Sequence, residues 1–323
     1  MSAREKAASQ KAPSTDRPIF MVGMGRSGST LLFECLATHP DVGWLAHHAN
    51  RMPDRRWLYA LSRLCDHGFF FRKAIERSDQ RRSLVEKLRL GPAEAYETWA
   101  SICGDKIRYD WLLGAQASPA ERAAAARLVA DVLRWAGKTR FAAKFTGPPR
   151  MTYLASLLPG AVFLHVVRDG RAVARSLLNV DFWRDTWRME RPAWSGGFPD
   201  DWLRLARESG NPPLALAALQ WRRSIEVAAD EAAALGPGRV HEVRYERFLA
   251  DPAGAVDAML RDVGLAPSPR VHDFLRRRYD VRDMNAPAGR EGSPQDRALL
   301  ERLLGDTLRG LGYPAGDGLA SDA

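Results

Sequence analysis

Apolar and polar positions alternate along this chain with two periods that follow one another in a regular order. Residues 18–22 form a short apolar run that ends in glycines, which predicts a buried strand, and residues 29–38 then carry helical spacing. After Gly137 the alternation of strand and helix returns, at residues 141–145, 148–158, 161–167 and 171–178. This order predicts an α/β fold with a central parallel sheet flanked by helices and right-handed crossovers.

A mostly helical stretch interrupts the alternation over about residues 54–137, where amphipathic segments are separated by glycine and proline turns. We expect an insertion on the sheet. The chain shows no internal repeat and no long linker. We therefore expect a single domain over residues 17–316, preceded by a disordered tail over 1–16 and followed by a flexible end over 317–323. Within this domain, later elements are a Trp-rich segment at 181–202, a helix at 214–235 and a strand at 240–245.

Composition narrows the classes of protein to consider. The 323 residues are 46% hydrophobic and 27% charged, which excludes a disordered chain, a collagen and a small disulfide scaffold. The net charge is +9 and the pI is near 9.8, so anionic partners are favoured without being identified. Only seven lysines stand beside 41 arginines, so one arginine carries little information unless its position is special.

Cysteine usage and hydropathy bear on the compartment. The three cysteines are widely spaced and form no C-x-x-C pair, which argues against a disulfide framework and a zinc knuckle. No apolar run approaches the roughly 18 residues of a membrane span, and the first 17 residues are polar. We expect a cytoplasmic protein without a membrane span.

A glycine-rich turn, GMGRSGST at residues 23–30, joins the first strand to the first helix. Its glycines permit a tight turn, and the N–H groups at the helix start can cradle an anion. As a dinucleotide motif it would need a second strand ending in an acid about 20 residues later, and residues 43–53 offer no acid and no convincing strand. As a kinase-like phosphate loop it would need a lysine where Ser29 stands. A third interpretation uses Arg26 as the cation, in R-S-G-S-T.

This third form resembles the loop of sulfotransferases that depend on 3′-phosphoadenosine 5′-phosphosulfate (PAPS), in which [KR]-x-G-[ST]-T surrounds the 5′-phosphosulfate. The similarity is to bacterial members of the family and to tyrosylprotein sulfotransferases. It implies a P-loop-like nucleotide site on the parallel sheet. The cofactor-binding residues that it implies in this loop are Gly25, Arg26, Ser27, Gly28, Ser29 and Thr30.

A second match lies at the end of the apolar strand 161–167, where Arg168 follows directly and Ser176 comes eight positions later. Ligands of parallel sheets bind at such strand ends. In the same sulfotransferases an Arg and a Ser with this spacing hold the 3′-phosphate of the nucleotide. A guanidinium can donate two parallel hydrogen bonds to a phosphate, and a serine hydroxyl adds another.

Weaker matches lie nearer the C-terminus. The stretch VRYE at residues 243–246 resembles a family element whose tyrosine lies beside the nucleotide, which makes Tyr245 a cofactor-binding candidate, with strand-end packing as the alternative. LRGLGYP at residues 308–314 resembles the last helix of the tyrosylprotein and bacterial branches. In those branches a basic residue before that helix closes over the cofactor, and Arg290 is the nearest candidate.

Three side chains are candidates for the chemistry. Sulfuryl transfer builds negative charge on the leaving phosphate, so fixed positive charge should dominate, and Arg26 would supply it. The resemblance implies that Lys144 reaches the sulfuryl or bridging oxygen. In the tyrosylprotein branch a Glu shortly after an HPDV-like stretch is the base. HPDV occurs here at residues 39–42, and His47 stands at the position of that Glu, with His48 as an alternative.

The function predicted on these residues is transfer of a sulfuryl group from PAPS to a hydroxyl of a sugar, lipid, phenol, peptide or secondary metabolite, with no metal required. The alternatives are a P-loop kinase-like phosphotransferase and a basic nucleic-acid-binding protein. Against the latter, no nucleic-acid motif is present and the arginines are spread along the chain. The tryptophans that either line an acceptor pocket or fill the core are Trp183, Trp187, Trp194 and Trp202.

Overall fold

The sheet defines the architecture. The structure, a computed structural model, describes residues 14–66, 91–181, 183, 192–278 and 292–314. Its strands are parallel and lie in the order β2-β3-β1-β4-β5. The predicted α/β fold with a central parallel sheet is confirmed. The strand bounds are β1 Ser14–Gly23, β2 Val42–Trp44, β3 Arg140–Thr146, β4 Val162–Val167 and β5 Val240–Arg244.

Helices connect the strands and cover both faces of the sheet. None of the helices in the described part of the chain is long and apolar enough to cross a membrane. Two further segments, Arg56–Asp66 and Ser195–Gly197, are 3₁₀ helices. The α-helices are α1 Ser29–Thr38, α2 His47–Asn50, α3 Tyr96–Cys103, α4 Lys106–Tyr109, α5 Pro119–Ala136, α6 Met151–Leu157, α7 Gly170–Leu177, α8 Trp202–Arg207, α9 Pro212–Leu235, α10 Tyr245–Ala250, α11 Pro252–Asp262, α12 Pro269–Arg278 and α13 Pro294–Gly310.

The strand order fixes where a ligand can bind. From β1 the chain passes to one side of the sheet to form β2 and β3, and then crosses to the other side of β1 for β4 and β5. The carboxyl ends of β3, β1 and β4 are therefore neighbours. Nucleotides bind at the carboxyl edge of open α/β sheets where the chain changes side, so this edge is the place to look for a site.

Alternation along the strands divides the core into two layers. On β1, Phe20 and Val22 face one layer, whereas Ile19 and Met21 face the other, and all four side chains are fully buried. The first layer is closed by the insertion, α6 and part of α9, and the second by α1 and α10–α12. A strand that is apolar on both faces is what a parallel sheet covered by helices requires.

The insertion packs on the sheet through aromatic side chains. Trp99 of α3 is fully buried and lies 5.4 Å from Phe145 and 6.4 Å from Phe141 between ring centroids. Helix α5 begins with a capping box in which Ser118 and Glu121 exchange hydrogen bonds, and ends at Gly137 in the left-handed conformation. The helical character expected for this region holds at residues 96–109 and 119–136.

The structure corrects one expectation on chain organisation. The prediction that residues 43–53 contain no strand is wrong, because β2 occupies Val42–Trp44. Three residues are too few to show a period of two, and the strand forms because its backbone pairs with β3 and all three residues are buried. The predicted terminal segments fall mostly on residues 1–13 and 315–323, which lie outside the described residues, and β1 begins at Ser14.

Candidate active site

The glycine-rich turn after β1 is shaped by its backbone. Arg26 and Gly28 both have a positive φ, of 70° and 87°. Gly28 is the N-cap of α1, which has neither a side-chain cap nor an acidic residue in its first turn. The first N–H groups of a helix lack intrahelical partners and carry partial positive charge. The turn therefore presents an uncapped helix start at the carboxyl edge of the sheet, suited to an anion.

Two further details describe the inside of this turn. The hydroxyl of Ser27 is 1% exposed, and it has no hydrogen-bond partner among the described residues. A Cβ on Gly28 would overlap the ring of Tyr245, so the backbone here lies directly against that ring. A buried hydroxyl next to a position that requires glycine is consistent with a cradle of backbone and side-chain donors.

Arg26 joins the two predicted phosphate sites. Its Nε donates to Oγ of Ser176 at 3.0 Å, and its carbonyl oxygen accepts from Nη1 of Arg168 at 2.8 Å. The structure thus brings together three residues that lie up to 150 positions apart in the sequence. Arg168 is 6% exposed, and its guanidinium lies 4.7 Å from the centre of the Tyr245 ring. Burial lowers the pKa of Arg168 below its ordinary value, although the side chain remains a cation at neutral pH.

Buried side chains hold the turn that follows Arg168. The Asp169 carboxylate accepts from the backbone N–H of Arg171 at 2.8 Å and pairs with its guanidinium at 2.7 Å. Glu246 accepts from the backbone N–H of Asp169 and from the hydroxyl of Tyr313, both at 2.9 Å. Burial raises the pKa of Glu246 above its ordinary value. Glu246 and Tyr313 lie in the two C-terminal motifs of the sequence, so these motifs meet behind Arg168.

Lys144 lies on β3 beside the glycine-rich turn. Its Nζ donates to Oγ1 of Thr30 at 2.9 Å and lies 2.9 Å from Oε1 of Glu94. Residue 144 is 7% exposed and is the register partner of Met21 on β1. Sequence reasoning missed Glu94, since it falls in the insertion. Its signal in the sequence is faint, an acid just after the Gly91-Pro92 turn.

Of the two remaining candidates, the structure describes His47 but not Arg290. His47 is exposed at the start of α2, where its backbone N–H donates to the carbonyl of Gly91 at 3.2 Å. Arg290 lies outside the described residues. The described chain resumes at Gly292, where a Cβ would lie 3.3 Å from the Arg175 side chain, next to Ser176.

The predicted aromatic segment divides between core and site. Trp183 and Trp202 are buried in a helical cluster formed with α7, α9 and α13, whereas Trp187 lies outside the described residues. Trp194 packs on the turn that follows β3, where a Cβ on Gly147 would lie 2.8 Å from its ring. Its carbonyl accepts from Nε1 of Trp111 at 2.6 Å. Trp194 and Trp111 therefore lie near the carboxyl end of β3, the strand that carries Lys144.

Comparisons with known proteins agree with this geometry. The model of the sulfotransferase family matches residues 18–269. Sulfotransferase STF9 from Mycobacterium avium is similar with a TM-score of 0.57 and 17% identity, over 94% of this chain and 79% of that chain. Sulfotransferase STF1 from Mycobacterium tuberculosis H37Rv gives a TM-score of 0.53 and 18% identity, over 90% and 77%. The search of curated proteins found no match.

The similar solved structures show the fold of this chain, and the match to the family model shows a similarity in sequence as well. Its match runs from the first apolar strand to the start of α12 and includes the glycine-rich turn, Lys144, Arg168, Ser176 and Tyr245. These are the residues that the sheet gathers at one edge. This chain belongs to the sulfotransferase family.

Proposed function

We propose that this chain transfers the sulfuryl group of PAPS to a hydroxyl acceptor. The observation that carries the proposal is the meeting of Arg168, Ser176 and the glycine-rich turn around Arg26. Family membership and the resemblance of R-S-G-S-T to the phosphosulfate loop support it. PAPS carries one anionic group at each end of a small nucleotide, and this edge of the sheet offers donors for both.

In this proposal two groups of residues hold the nucleotide. The residues from Gly25 to Thr30 would surround the 5′-phosphosulfate with backbone N–H groups and hydroxyls. Arg168 and Ser176 would donate to the 3′-phosphate, with Arg290 as a further candidate donor. Tyr245, whose ring lies against Gly28 and near the Arg168 guanidinium, would border the nucleotide. PAPS supplies an activated sulfuryl group, and the protein supplies position and charge.

Arg26 and Lys144 provide the charge that the reaction needs. Little covalent chemistry falls to the protein in such a displacement, so orientation and fixed positive charge account for most of the acceleration. Arg26 acts as a permanent cation and hydrogen-bond donor because it does not lose its proton. Lys144, buried and bonded to Thr30, presents an ammonium group to the same loop. His47 stays a prediction for the base that takes the proton of the acceptor.

A titration of 3′,5′-ADP into the protein by calorimetry tests the proposal. Arg168→Ala removes charge-assisted hydrogen bonds of about 1.5 to 3 kcal/mol, so the affinity should fall roughly 10- to 100-fold. 5′-AMP, which lacks the 3′-phosphate, serves as the control ligand and should bind parent and variant alike. Equal affinity of both proteins for 3′,5′-ADP would exclude the assignment of Arg168.

The same titration separates the rival functions. A kinase-like phosphotransferase would need a phosphate-binding lysine at the position where this chain has Ser29. It would need Mg²⁺, so its nucleotide binding would fall on adding EDTA, whereas PAPS-type binding should not. A nucleic-acid-binding protein would bind oligonucleotides with a steep dependence on salt.

The acceptor and the compartment follow from different experiments. A mass-spectrometric screen of sugars, lipids, phenols and peptides with labelled PAPS identifies the acceptor class directly, because the product gains a sulfate. Trp194, which is half-buried, offers an aromatic face for such an acceptor beside the turn that follows β3. A cytoplasmic location stays a prediction, which fractionation of cells that make the protein would test.

A further inference from the structure

Glu94 is a carboxylate placed inside a cluster of groups suited to anions. Its Oε1 lies 2.9 Å from Nζ of Lys144 and accepts from Oγ1 of Thr146 at 2.5 Å. Lys144 in turn donates to Thr30 of the glycine-rich turn. The Glu94 side chain is 27% exposed, so one part of it faces solvent. A carboxylate that is separated from the proposed phosphate-binding loop only by Lys144 weakens the binding of anions there. Its presence at this position therefore suggests a role of its own.

The chain fixes Glu94 in this place from two sides. An isolated antiparallel bridge joins Ala46 to Pro92, and the N–H of Ala93 donates to the carbonyl of Leu45 at 2.8 Å, so residues 91–94 run beside the segment that leaves β2. Two residues later, the hydroxyl of Tyr96 donates to the carbonyl of Thr146 at 2.9 Å.

The same segment lies beside His47, which is predicted as the base from its position after the HPDV stretch. The backbone N–H of His47 donates to the carbonyl of Gly91, so residues 47 and 94 belong to neighbouring stretches at the same edge of the sheet. Because residues 47 and 94 are far apart in the sequence, their proximity cannot be inferred from the sequence alone. Of the two, Glu94 is the one with a direct contact to Lys144.

We propose that Glu94 is a catalytic residue, which pairs with Lys144 and becomes the proton acceptor when an anionic nucleotide draws Lys144 away. The proposal rests on the proposed function. In the step, the acceptor oxygen forms a bond to sulfur and gives its proton to a carboxylate oxygen of Glu94. The bond from sulfur to the bridging oxygen breaks, and its electron pair leaves with 3′,5′-ADP.

A first test uses binding alone. In Glu94→Gln the charge that competes for Lys144 is gone while size is kept, so the affinity for 3′,5′-ADP should rise about fivefold in calorimetry. In a Lys144→Met background the same substitution should gain much less, because the competition has been removed. A carboxylate with a purely structural role would leave the affinity unchanged or reduced, and either result overturns the proposal.

Glu97 supplies a matched control, three residues along the chain. It is 56% exposed and pairs with Arg108 at 2.5 Å. Glu97→Gln removes the same charge, so it should leave the affinity for 3′,5′-ADP unchanged. An equal gain in Glu97→Gln would show a general effect of net charge and would contradict a specific role for Glu94.

A second test addresses the proton. With labelled PAPS and no added acceptor, water fills the acceptor position, and a poised carboxylate predicts slow release of inorganic sulfate. This release should fall roughly 100-fold in Glu94→Gln, while the binding of 3′,5′-ADP tightens. Opposite changes in turnover and affinity are not expected of a structural residue. No release by the parent, or equal release by parent and variant, excludes Glu94 as the proton acceptor.

Other outcomes separate this inference from the proposed function. Loss of release in His47→Ala with normal release in Glu94→Gln would assign the base to His47 and overturn the proposal. A parent that fails to bind 3′,5′-ADP contradicts the proposed function itself. A parent that binds it while Glu94→Gln binds equally well contradicts only the role of Glu94.

Discussion

The two turns that form the candidate site are built in different ways. The turn after β1 depends on backbone shape, with positive φ at Arg26 and Gly28 and an uncapped helix behind it. The turn after β4 depends on buried side chains, since the ion pair of Asp169 and Arg171 lies next to the Glu246 carboxylate. Arg26 is exposed, whereas Asp169 is 2% exposed.

This difference predicts what each turn tolerates. The turn after β1 should keep its shape when exposed side chains such as Arg26 are changed, but a Cβ added at Gly28 should destabilise it. The second can only change at the cost of unpaired buried charge. One end of the candidate site, at Arg168, is held by buried pairs, whereas the proposals above require Lys144 and Glu94 at the other end to change partners when a nucleotide binds. Three variants compare these turns, in order of falling effect.

The largest effect should come from the buried pair. Asp169→Ala leaves the Arg171 guanidinium, 7% exposed, without its carboxylate, and should lower the free energy of unfolding by about 3 to 5 kcal/mol in a urea titration. Glu208→Ala is the control, because its pair with Arg204 is 62% and 70% exposed and should contribute less than about 1 kcal/mol. Similar losses in the two variants would refute the comparison.

An intermediate effect is expected for a methyl group added to the first turn. Gly28→Ala places a Cβ on the ring of Tyr245 at a positive φ, and should lower the free energy of unfolding by about 2 to 3 kcal/mol. In Gly25→Ala the new Cβ would meet Thr146 at an ordinary 3.4 Å, so about 1 kcal/mol or less is expected. Urea titrations of both variants measure the difference. If Gly25→Ala costs as much, the shape of the backbone is not what limits this turn.

The smallest effect should come from the C-terminal segment and should depend on pH. Burial raises the folded-state pKa of Glu246, so its contribution to stability falls as the pH rises through the window above its unfolded value. The Tyr313 hydroxyl opposes this rise by donating to the ionised carboxylate. Tyr313→Phe should therefore cost about 1 kcal/mol at pH 8 and less near pH 4, where the raised pKa keeps the folded-state carboxyl mostly protonated.

Thermal and urea unfolding at the two pH values check this prediction. Tyr109→Phe is the control, since Tyr109 is 57% exposed and removal of its hydroxyl should change the stability little at either pH. A loss in Tyr313→Phe that is larger at pH 4 than at pH 8 would mean that Tyr313 does not stabilise the ionised form of Glu246.

The limits of sequence reasoning are clear at particular residues. Arg168 and Ser176 could be found because both follow one strand and their spacing is local. Lys144 could be found because it lies near the end of another predicted strand, where members of the resembling family carry a lysine. Glu94 could not, because its place depends on a bridge between two irregular segments, and such segments carry no periodic pattern.

The sequence by itself determined strands β1, β3, β4 and β5 with the helices that follow them, the glycine-rich turn and the resemblance to the family. These features rest on local causes, namely periodic burial, glycine conformations and short motifs. The tertiary structure alone decided that Arg26 bonds to Ser176, that Glu94 pairs with Lys144, and that Glu246 meets Tyr313 behind Arg168. Such pairs join residues far apart in the chain. Their distances depend on sheet order and packing, which no single segment encodes.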